Sequence, residues 1–200
     1  MTAVILALVG YLIGSISFAV VVSRALALPD PRSYGSRNPG ATNVLRTGKK
    51  PAALLTLLGD CLKGTLAVVI ARHFAEPHAV ELAMGAAAFA AVLGHVFPVF
   101  FGFKGGKGVS TALGVLFGLN VYLALGTAAT WIIIALFFRI SSLAALVAAL
   151  FAPFATLLIY DAAHPFFISV CAISVLLIWR HKSNIRNLLA GTESRLGRGR

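Results

Sequence analysis

Long apolar runs occupy most of this sequence and limit what it can fold into. Five of them have the length of one membrane-crossing helix, and they cover residues 2–23, 51–71, 79–101, 143–160 and 163–179. A sixth run, residues 109–138, is longer than one span requires. Because a helix needs about 20 apolar residues to cross the hydrocarbon core, the 200 residues hold six or seven spans and no separate soluble domain. The sequence predicts an all-α integral membrane protein with a single membrane-embedded domain over residues 1–200.

The amino-acid composition agrees with this prediction, and the net charge limits the classes of molecule that the protein can bind. Hydrophobic residues make up 59% of the chain and charged residues 12%, whereas soluble domains have about half and about a quarter. The net charge of +11 fits an anionic membrane surface or phosphorylated substrates, and in a membrane protein it argues against nucleic acid as a partner. Cys61 and Cys171 both lie in apolar runs, which indicates buried thiols and not a disulfide or metal site.

The overlong run is either one tilted helix or two helices that turn near residues 118–120. With two helices, 15 Lys and Arg fall on one side of the membrane and Arg72 alone on the other, while Lys63 lies within a span. With one helix, each side carries eight. Since cytoplasmic connections carry an excess of Lys and Arg, the sequence predicts seven transmembrane helices, with the N-terminus outside and the C-terminus cytoplasmic.

The sequence also makes a prediction for each end of the chain. Met1-Thr2 offers no basic region, so the first run is predicted to be an uncleaved span and not a signal peptide. Residues 191–200 form a basic tail that is expected to be flexible.

The polar motifs all fall on the predicted cytoplasmic side, in residues 35–46 (GSRNPGATNVLR), 95–108 (HVFPVFFGFKGGKG), 139–143 (RISSL) and 180–193 (RHKSNIRNLLAGTE). The first combines two Gly, a Ser, a Thr and two Asn within nine residues, whose N–H and hydroxyl groups can surround an anion. Arg46 follows and can add a bidentate pair. The alternative is a polar turn with basic interfacial anchors.

The second motif offers another cationic loop. Lys104 and Lys107 flank Gly105 and Gly106 just before a predicted helix, which suits anion binding at a helix N-terminus. Because Lys107 is followed by Gly and not by Ser or Thr, the loop is not a Walker A motif; an ordinary basic turn is the alternative. The segments 141–142 and 181–184 add donors at the same depth, or serve as helix caps and anchors.

Charged residues also occur inside the predicted spans. Asp60 and Lys63 are three residues apart and share one helical face, so they can form a pair within the membrane; substrate contact is the alternative. His95 precedes Pro98 and either shapes the site or caps a helix kink.

The chemistry that is missing also constrains the function. No cytoplasmic His is followed by Asp at acyltransferase-dyad spacing, and Asp30 and Glu193 are the only cytoplasmic carboxylates. Clustered acids for a Mg²⁺ phosphotransferase are therefore absent from the sequence. A site that is rich in cations and nearly without bases must bind anions and obtain its general base elsewhere.

The order of the motifs resembles one known family, the bacterial acyl-phosphate:glycerol-3-phosphate acyltransferases (PlsY family). The matching motifs are Gly14-Ser15-Ile16, residues 35–46, Asp60-x-x-Lys63-Gly64, His95-x-x-Pro98-Val99 leading into FKGGKGVST, Ser142-Leu143, and RHKSNI with Gly191-x-Glu193. Members of this family are seven-span monomers with a cytoplasmic active site, which agrees with the charge count. Ser17, Arg37 and Pro39 stand where the family usually has Pro, Gly and an aliphatic residue.

The resemblance implies transfer of a fatty acyl group from acyl phosphate to the 1-hydroxyl of glycerol 3-phosphate, giving lysophosphatidic acid and phosphate in phospholipid synthesis at the bacterial inner membrane. Neither acyl-CoA nor a metal or other cofactor is implied. Catalytic roles are implied for Lys104, Arg46, Ser142, His181 and Asn184. Substrate binding is implied for Ser36, Asn38, Gly40, Thr42, Asn43, Gly105, Gly106 and Lys107. Which phosphate each segment holds stays open.

Two questions stay open from the sequence: which group acts as the general base, and which class of function the protein has. The phosphate of glycerol 3-phosphate, with a second pKa near 6, can accept the hydroxyl proton, and His181 is the rival base. An anion channel or transporter and a phospholipid-binding scaffold are the competing classes. Besides the two substrates and membrane lipids, the soluble enzyme that supplies acyl phosphate is a candidate partner.

Overall fold

The computed structural model describes residues 2–196, and its regular secondary structure over those residues is helical. Short 3₁₀ turns occur at Leu45–Thr47, Pro77–Ala79 and Val99–Phe101. The α-helices within the described residues are α1 (Thr2–Gly14), α2 (Phe18–Ala25), α3 (Ala41–Val44), α4 (Lys50–Phe74), α5 (Val80–Val96), α6 (Val109–Leu119), α7 (Val121–Phe138), α8 (Ser141–Ile159), α9 (Pro165–Arg180) and α10 (Lys182–Leu189). The all-α membrane fold predicted from the apolar runs is confirmed.

The overlong apolar run is two helices, as the charge count favoured. α6 ends at Leu119, and α7 starts at Val121. The side chain of Asn120 accepts hydrogen bonds from the N–H groups of Tyr122 at 2.9 Å and Leu123 at 3.3 Å, so it caps α7.

Five helical stretches are long and apolar enough to cross a membrane, and a sixth arises if α9 and α10, bent by 58°, form one span. At 11 residues, α6 is only about 16 Å long, against about 30 Å of hydrocarbon. The described residues therefore hold five to six candidate spans by length, and the predicted seventh depends on α6.

The first predicted span, residues 2–23, corresponds to the candidate span Thr2–Ala25, which consists of two helices. It breaks between α1 and α2, at residues 15–17. Helix breaks within a membrane persist where other groups satisfy the freed backbone. Here the ammonium of Lys63 donates to the carbonyl of Ile16 at 2.6 Å.

Small residues allow the helices to approach closely around α5, which contacts α1, α4, α6 and α9. A Cβ at Gly10 of α1 would lie 2.8 Å from the Ala87 carbonyl oxygen of α5. At Gly114 of α6, a Cβ would overlap the Cys61 carbonyl of α4. Close contacts between small residues are the usual basis of helix association in membranes.

The connections, which are the segments that link or follow the long helices, contact one another at the two ends of the bundle. At one end, Arg46 contacts Ser194 and Lys107 contacts Asn184. We call it the polar end, and it comprises residues 35–46, 104–108, 139–142 and 180–194.

The opposite end has few contacts between connections within the described residues. Thr2 donates to Glu76 at 2.7 Å, and Asn120 donates to the hydroxyl of Tyr160 at 3.1 Å. Of the predicted basic tail, residues 192–196 are non-helical and lie at the polar end, whereas residues 197–200 lie outside the described part of the chain.

Candidate active site

A chain of hydrogen bonds links three of the polar segments through Glu193. The Lys107 ammonium donates to Asn184 Oδ1 at 2.6 Å, and the Asn184 amide donates to Glu193 Oε1 at 2.7 Å. The hydroxyl of Ser142 donates to the same oxygen at 2.8 Å. The structure thus brings together Lys107, Ser142 and Asn184, which are far apart in sequence. Glu193 had no role assigned from the sequence, although it ends one of the motifs; its carboxylate orients Ser142 and Asn184.

The first loop, residues 35–46, joins the polar end through different contacts. Thr42 Oγ1 lies 3.4 Å from Ser141 Oγ, and Arg46 Nη2 donates to Ser194 Oγ at 3.1 Å. The side chains of Ser36, Thr42, Arg46 and Lys104 are exposed. They are therefore accessible to a ligand at the polar end.

Asn43 organises the first loop from inside. It is 2% exposed, and its amide donates to the carbonyls of Pro31 at 2.7 Å and Tyr34 at 3.2 Å. Its Oδ1 accepts from the N–H of Ser36 at 3.0 Å. The structure therefore gives Asn43 a role in shaping the loop, while its predicted contact with substrate remains a prediction.

Arg37 has a backbone φ of +55°, a left-handed conformation that glycine adopts without strain. The glycine that is usual in the family suits this position, whereas the left-handed region costs a residue with a Cβ about 1–2 kcal/mol. Asn38 and Gly40, which follow Arg37, are half-buried in the same loop, and the Gly40 N–H donates to the Asn38 carbonyl at 2.9 Å. The loop therefore keeps its left-handed turn in spite of the departure from the family's glycine.

Arg180 holds the glycine-rich loop, residues 104–108, and was not singled out from the sequence. Its guanidinium donates to the carbonyl of Gly105 at 3.1 Å and to that of Gly106 at 3.2 Å. Both glycines are buried. The only sequence signal for this role was its position at the start of the RHKSNI motif.

Lys107 is a half-buried cation with an altered titration. Burial is the main cause that lowers the pKa of its ammonium from 10.5 to about 8; the Glu193 carboxylate opposes this change, and the positive charges of Arg180 and Arg46 contribute to it. The ammonium is therefore charged at neutral pH and loses its charge near pH 8.

His181 lies beneath this network with 2% exposure. Its Nδ1 is 2.7 Å from the carbonyl oxygen of Leu177, and a carbonyl can only accept, so Nδ1 carries a proton. In the neutral ring, Nε2 is then the nitrogen able to accept a proton.

The predicted pairing of Asp60 with Lys63 is confirmed. Their side chains are 3% and 2% exposed, with Lys63 Nζ 2.7 Å from Asp60 Oδ1. His95 joins them, because its Nδ1 lies 3.0 Å from Lys63 Nζ and 3.1 Å from the Thr111 hydroxyl. This ion cluster is in the helix bundle, and among the described residues its side chains make no hydrogen bond to the network at the polar end.

The polar end has the chemistry of an anion site. Arg46, Lys104 and Lys107 provide cations, and in the part of the chain that the structure describes Glu193 is the one carboxylate of the hydrogen-bonded network. Within residues 2–196, no group of three His, Cys, Asp or Glu side chains is placed to hold a metal ion. A cleft of about 420 Å³ lies elsewhere, between the α1–α2 break and α4, and its exposed walls are apolar, so it does not suit a phosphate.

The fold and the polar end together define a class: a multi-span helical membrane protein with a cation-lined end whose chemistry suits anionic groups. The family model described as "Glycerol-3-phosphate acyltransferase" matches residues 4–191. A glycerol-3-phosphate acyltransferase of Burkholderia ambifaria is 61% identical over 96% of this chain and 89% of its own length. One of Burkholderia vietnamiensis is 60% identical over the same shares.

Two solved structures are also similar to this chain. The structure of PlsY, an integral membrane glycerol 3-phosphate acyltransferase, in its glycerol 3-phosphate form is 39% identical, with a TM-score of 0.89 over 98% of this chain and 96% of that one. Its lysophosphatidic acid form has a TM-score of 0.87 with the same identity and coverage. The chain belongs to the PlsY family of glycerol-3-phosphate acyltransferases.

Proposed function

We propose that this acyltransferase takes its acyl group from acyl phosphate and transfers it to the 1-hydroxyl of glycerol 3-phosphate, giving lysophosphatidic acid and inorganic phosphate. The hydroxyl oxygen attacks the acyl carbon, the bond from that carbon to the phosphate oxygen breaks, and phosphate leaves with the bonding electrons. The observation that carries the proposal is the group of Arg46, Lys104 and Lys107 at one end of the bundle. Two phosphorylated substrates need such cations, whereas neither acyl-CoA nor a metal is needed for this step.

The side chains act by alignment and by stabilising negative charge. An acyl phosphate is already activated, so holding the two reactants together and neutralising the leaving phosphate supply most of the catalysis. Lys104, Arg46, Ser142, His181 and Asn184 are the proposed catalytic groups. Glu193 supports two of them, because it accepts the hydrogen bonds of Ser142 and Asn184.

Substrate binding is proposed for the two loops. Ser36, Asn38, Gly40 and Thr42 belong to the first, with Asn43 shaping it, and Gly105, Gly106 and Lys107 belong to the second. Which phosphate each loop holds is answered by comparing the KM for each substrate in Arg46→Ala and Lys107→Ala variants.

The proton of the attacking hydroxyl is proposed to pass to the phosphate of glycerol 3-phosphate. His181 is the rival acceptor through Nε2. A His181→Gln variant that keeps most of its turnover at saturating substrate supports the phosphate as base. Loss of turnover with unchanged substrate affinity assigns the role to His181.

The proposed setting is the bacterial inner membrane. The chain is proposed to act as a monomer with seven spans, the N-terminus outside and the active site facing the cytoplasm. There the basic surface meets membrane lipids and is open to the soluble enzyme that produces acyl phosphate.

Phosphate release from purified, detergent-solubilised protein tests the reaction. Palmitoyl phosphate with glycerol 3-phosphate is expected to release phosphate and form lysophosphatidic acid, whereas palmitoyl-CoA is expected to be inert as a donor. Lys104→Ala should lower the rate by at least tenfold. Folded protein that uses palmitoyl-CoA overturns the proposed donor, and release without glycerol 3-phosphate overturns acyl transfer.

A further inference from the structure

The buried cluster of Asp60, Lys63 and His95 has no part in the proposed chemistry. All three side chains are at most 6% exposed, and ionised groups within a membrane are costly unless they are paired. Packing alone does not require such groups at these positions. Their contacts indicate what they do.

One side of the cluster is fixed to the helix bundle. Lys63 of α4 reaches the carbonyl of Ile16 in the α1–α2 break at 2.6 Å and Asp60 Oδ1 at 2.7 Å. It also lies 3.0 Å from His95 Nδ1 of α5, which Thr111 of α6 approaches at 3.1 Å. Lys63 of α4 and Thr111 of α6 therefore hold the ring of His95 in one orientation, and the α1–α2 break holds Lys63 in turn.

The other side of the cluster meets the glycine-rich loop. The carbonyl of His95 accepts a hydrogen bond from the N–H of Gly106 at 3.1 Å. A Cβ built on Gly106 would overlap His95 Nε2 and would lie 3.0 Å from the carbonyl oxygen of Pro39 in the first loop. The two proposed substrate loops therefore meet at Gly106, directly against the ring of His95.

Arg180 holds the same loop from a second direction. It donates to the carbonyls of Gly105 and Gly106, so the loop is fixed by His95 and by Arg180. Lys104 and Lys107 extend from the two ends of this pair of glycines. A shift of Gly105 and Gly106 consequently changes where both cations lie.

We propose that His95, oriented by the Asp60–Lys63 pair, is a positioning residue that fixes Gly105 and Gly106 and so sets the relative placement of Lys104 and Lys107. The inference rests on the proposed function, because the two lysines matter as ligands of the phosphorylated substrates. His95 acts through the loop without touching substrate. Misplacing reacting groups by about 1 Å can cost about 100-fold in rate.

A His95→Asn variant separates this role from general stability. The amide lies near the place of Nδ1 and keeps a partner for Lys63 and Thr111, but the side chain ends short of Gly106. We expect a melting temperature close to that of the unsubstituted protein and a fall in kcat/KM of at least tenfold. His95→Gln, whose amide reaches the place of Nε2, should recover part of the loss.

The matched control is Thr156→Val in α8. Thr156 is fully buried, and its hydroxyl donates to the Ala152 carbonyl of its own helix at 2.7 Å. This variant should keep the unsubstituted kcat/KM. If His95→Asn does not fold, Gly106→Ala tests the same contact from the loop side, because its Cβ pushes against Nε2 and leaves the ion pair intact.

A double-mutant cycle decides whether His95 acts through the loop. If it does, His95→Asn combined with Lys107→Ala loses much less than the product of the two single losses, because coupled residues are not additive. Losses that multiply, or a His95→Asn enzyme with unchanged kcat/KM, overturn the proposal.

Calorimetric titration with glycerol 3-phosphate keeps this inference distinct from the proposed function. Unsubstituted protein that binds glycerol 3-phosphate without transferring an acyl group contradicts the function, while a Kd at least tenfold weaker in His95→Asn still supports positioning. Normal acyl transfer by unsubstituted protein, with binding and turnover unaffected in His95→Asn, contradicts positioning alone.

Discussion

Lys107 is the residue whose charge depends most directly on the site around it. Because burial lowers the pKa of its ammonium to about 8, the ammonium is positive below that pH and neutral above it. kcat/KM reports ionisations of the free enzyme, so kcat/KM for glycerol 3-phosphate should fall as the pH rises through about 8. Initial rates measured at low substrate concentration, from about one and a half pH units below the pKa to the same distance above it, test this.

Lys107→Arg is the matched control for the pH profile. A guanidinium keeps its charge throughout this range, so the fall above pH 8 should be absent or much smaller, whatever the absolute rate. Identical profiles for the unsubstituted enzyme and the Lys107→Arg variant would assign the fall to another group.

Individual residues were predictable where their chemistry alone gave the role. Donors and cations such as Arg46 and Lys107 stand out by residue type, and Asp60 with Lys63 by spacing on a helix. Glu193 and Arg180 were missed because each acts on other residues of the site: a carboxylate is an unexpected component of an anion site, and an Arg at a helix end has a simpler explanation as an anchor. Only the folded chain shows that they contact Ser142, Asn184 and the glycine-rich loop.

Hydropathy predicted the helices well at the scale of the element, but it could not predict the break between α1 and α2. The break lies inside a continuous apolar run, and the group that stabilises it, Lys63, is 47 residues further along the chain than Ile16. The turn at Asn120 was predictable because it needs only a local cap.

The contact of α4 with α6 is predicted to depend on Gly114. Since a Cβ there would overlap the backbone of Cys61, Gly114→Ala has to separate the two helices, and overpacking of this kind costs about 1–3 kcal/mol. Thermal unfolding in detergent should show a clearly lowered melting temperature. Gly126→Ala is the control, because its Cβ would meet only the edge of the Phe151 ring at 3.3 Å; equal melting temperatures for the two variants would contradict the prediction.

For the whole molecule, the contacts between connections support seven crossings although α6 is short. Lys107, before α6, contacts Asn184 at the polar end, whereas Asn120, after α6, contacts Tyr160 at the opposite end. These contacts support the proposal that α6 is the seventh crossing. The count of Lys and Arg along the sequence led to the same proposal, because each crossing decides on which side all later Lys and Arg fall.

Site-specific labelling tests both the count and the orientation. In a chain with Cys61 and Cys171 replaced by Ala, single cysteines are introduced at His78, Tyr122, Lys49 and Lys182, and intact cells are treated with a membrane-impermeant maleimide. Seven spans with the N-terminus outside predict labelling at positions 78 and 122, and labelling at 49 and 182 only after permeabilisation. If α6 does not cross, every later connection changes sides, so position 182 labels from outside and position 122 does not. That result would place Asn184 across the membrane from Arg46 and would contradict the proposed seven spans, which the hydrogen bonds from Asn184 to Glu193 and from Arg46 to Ser194 support.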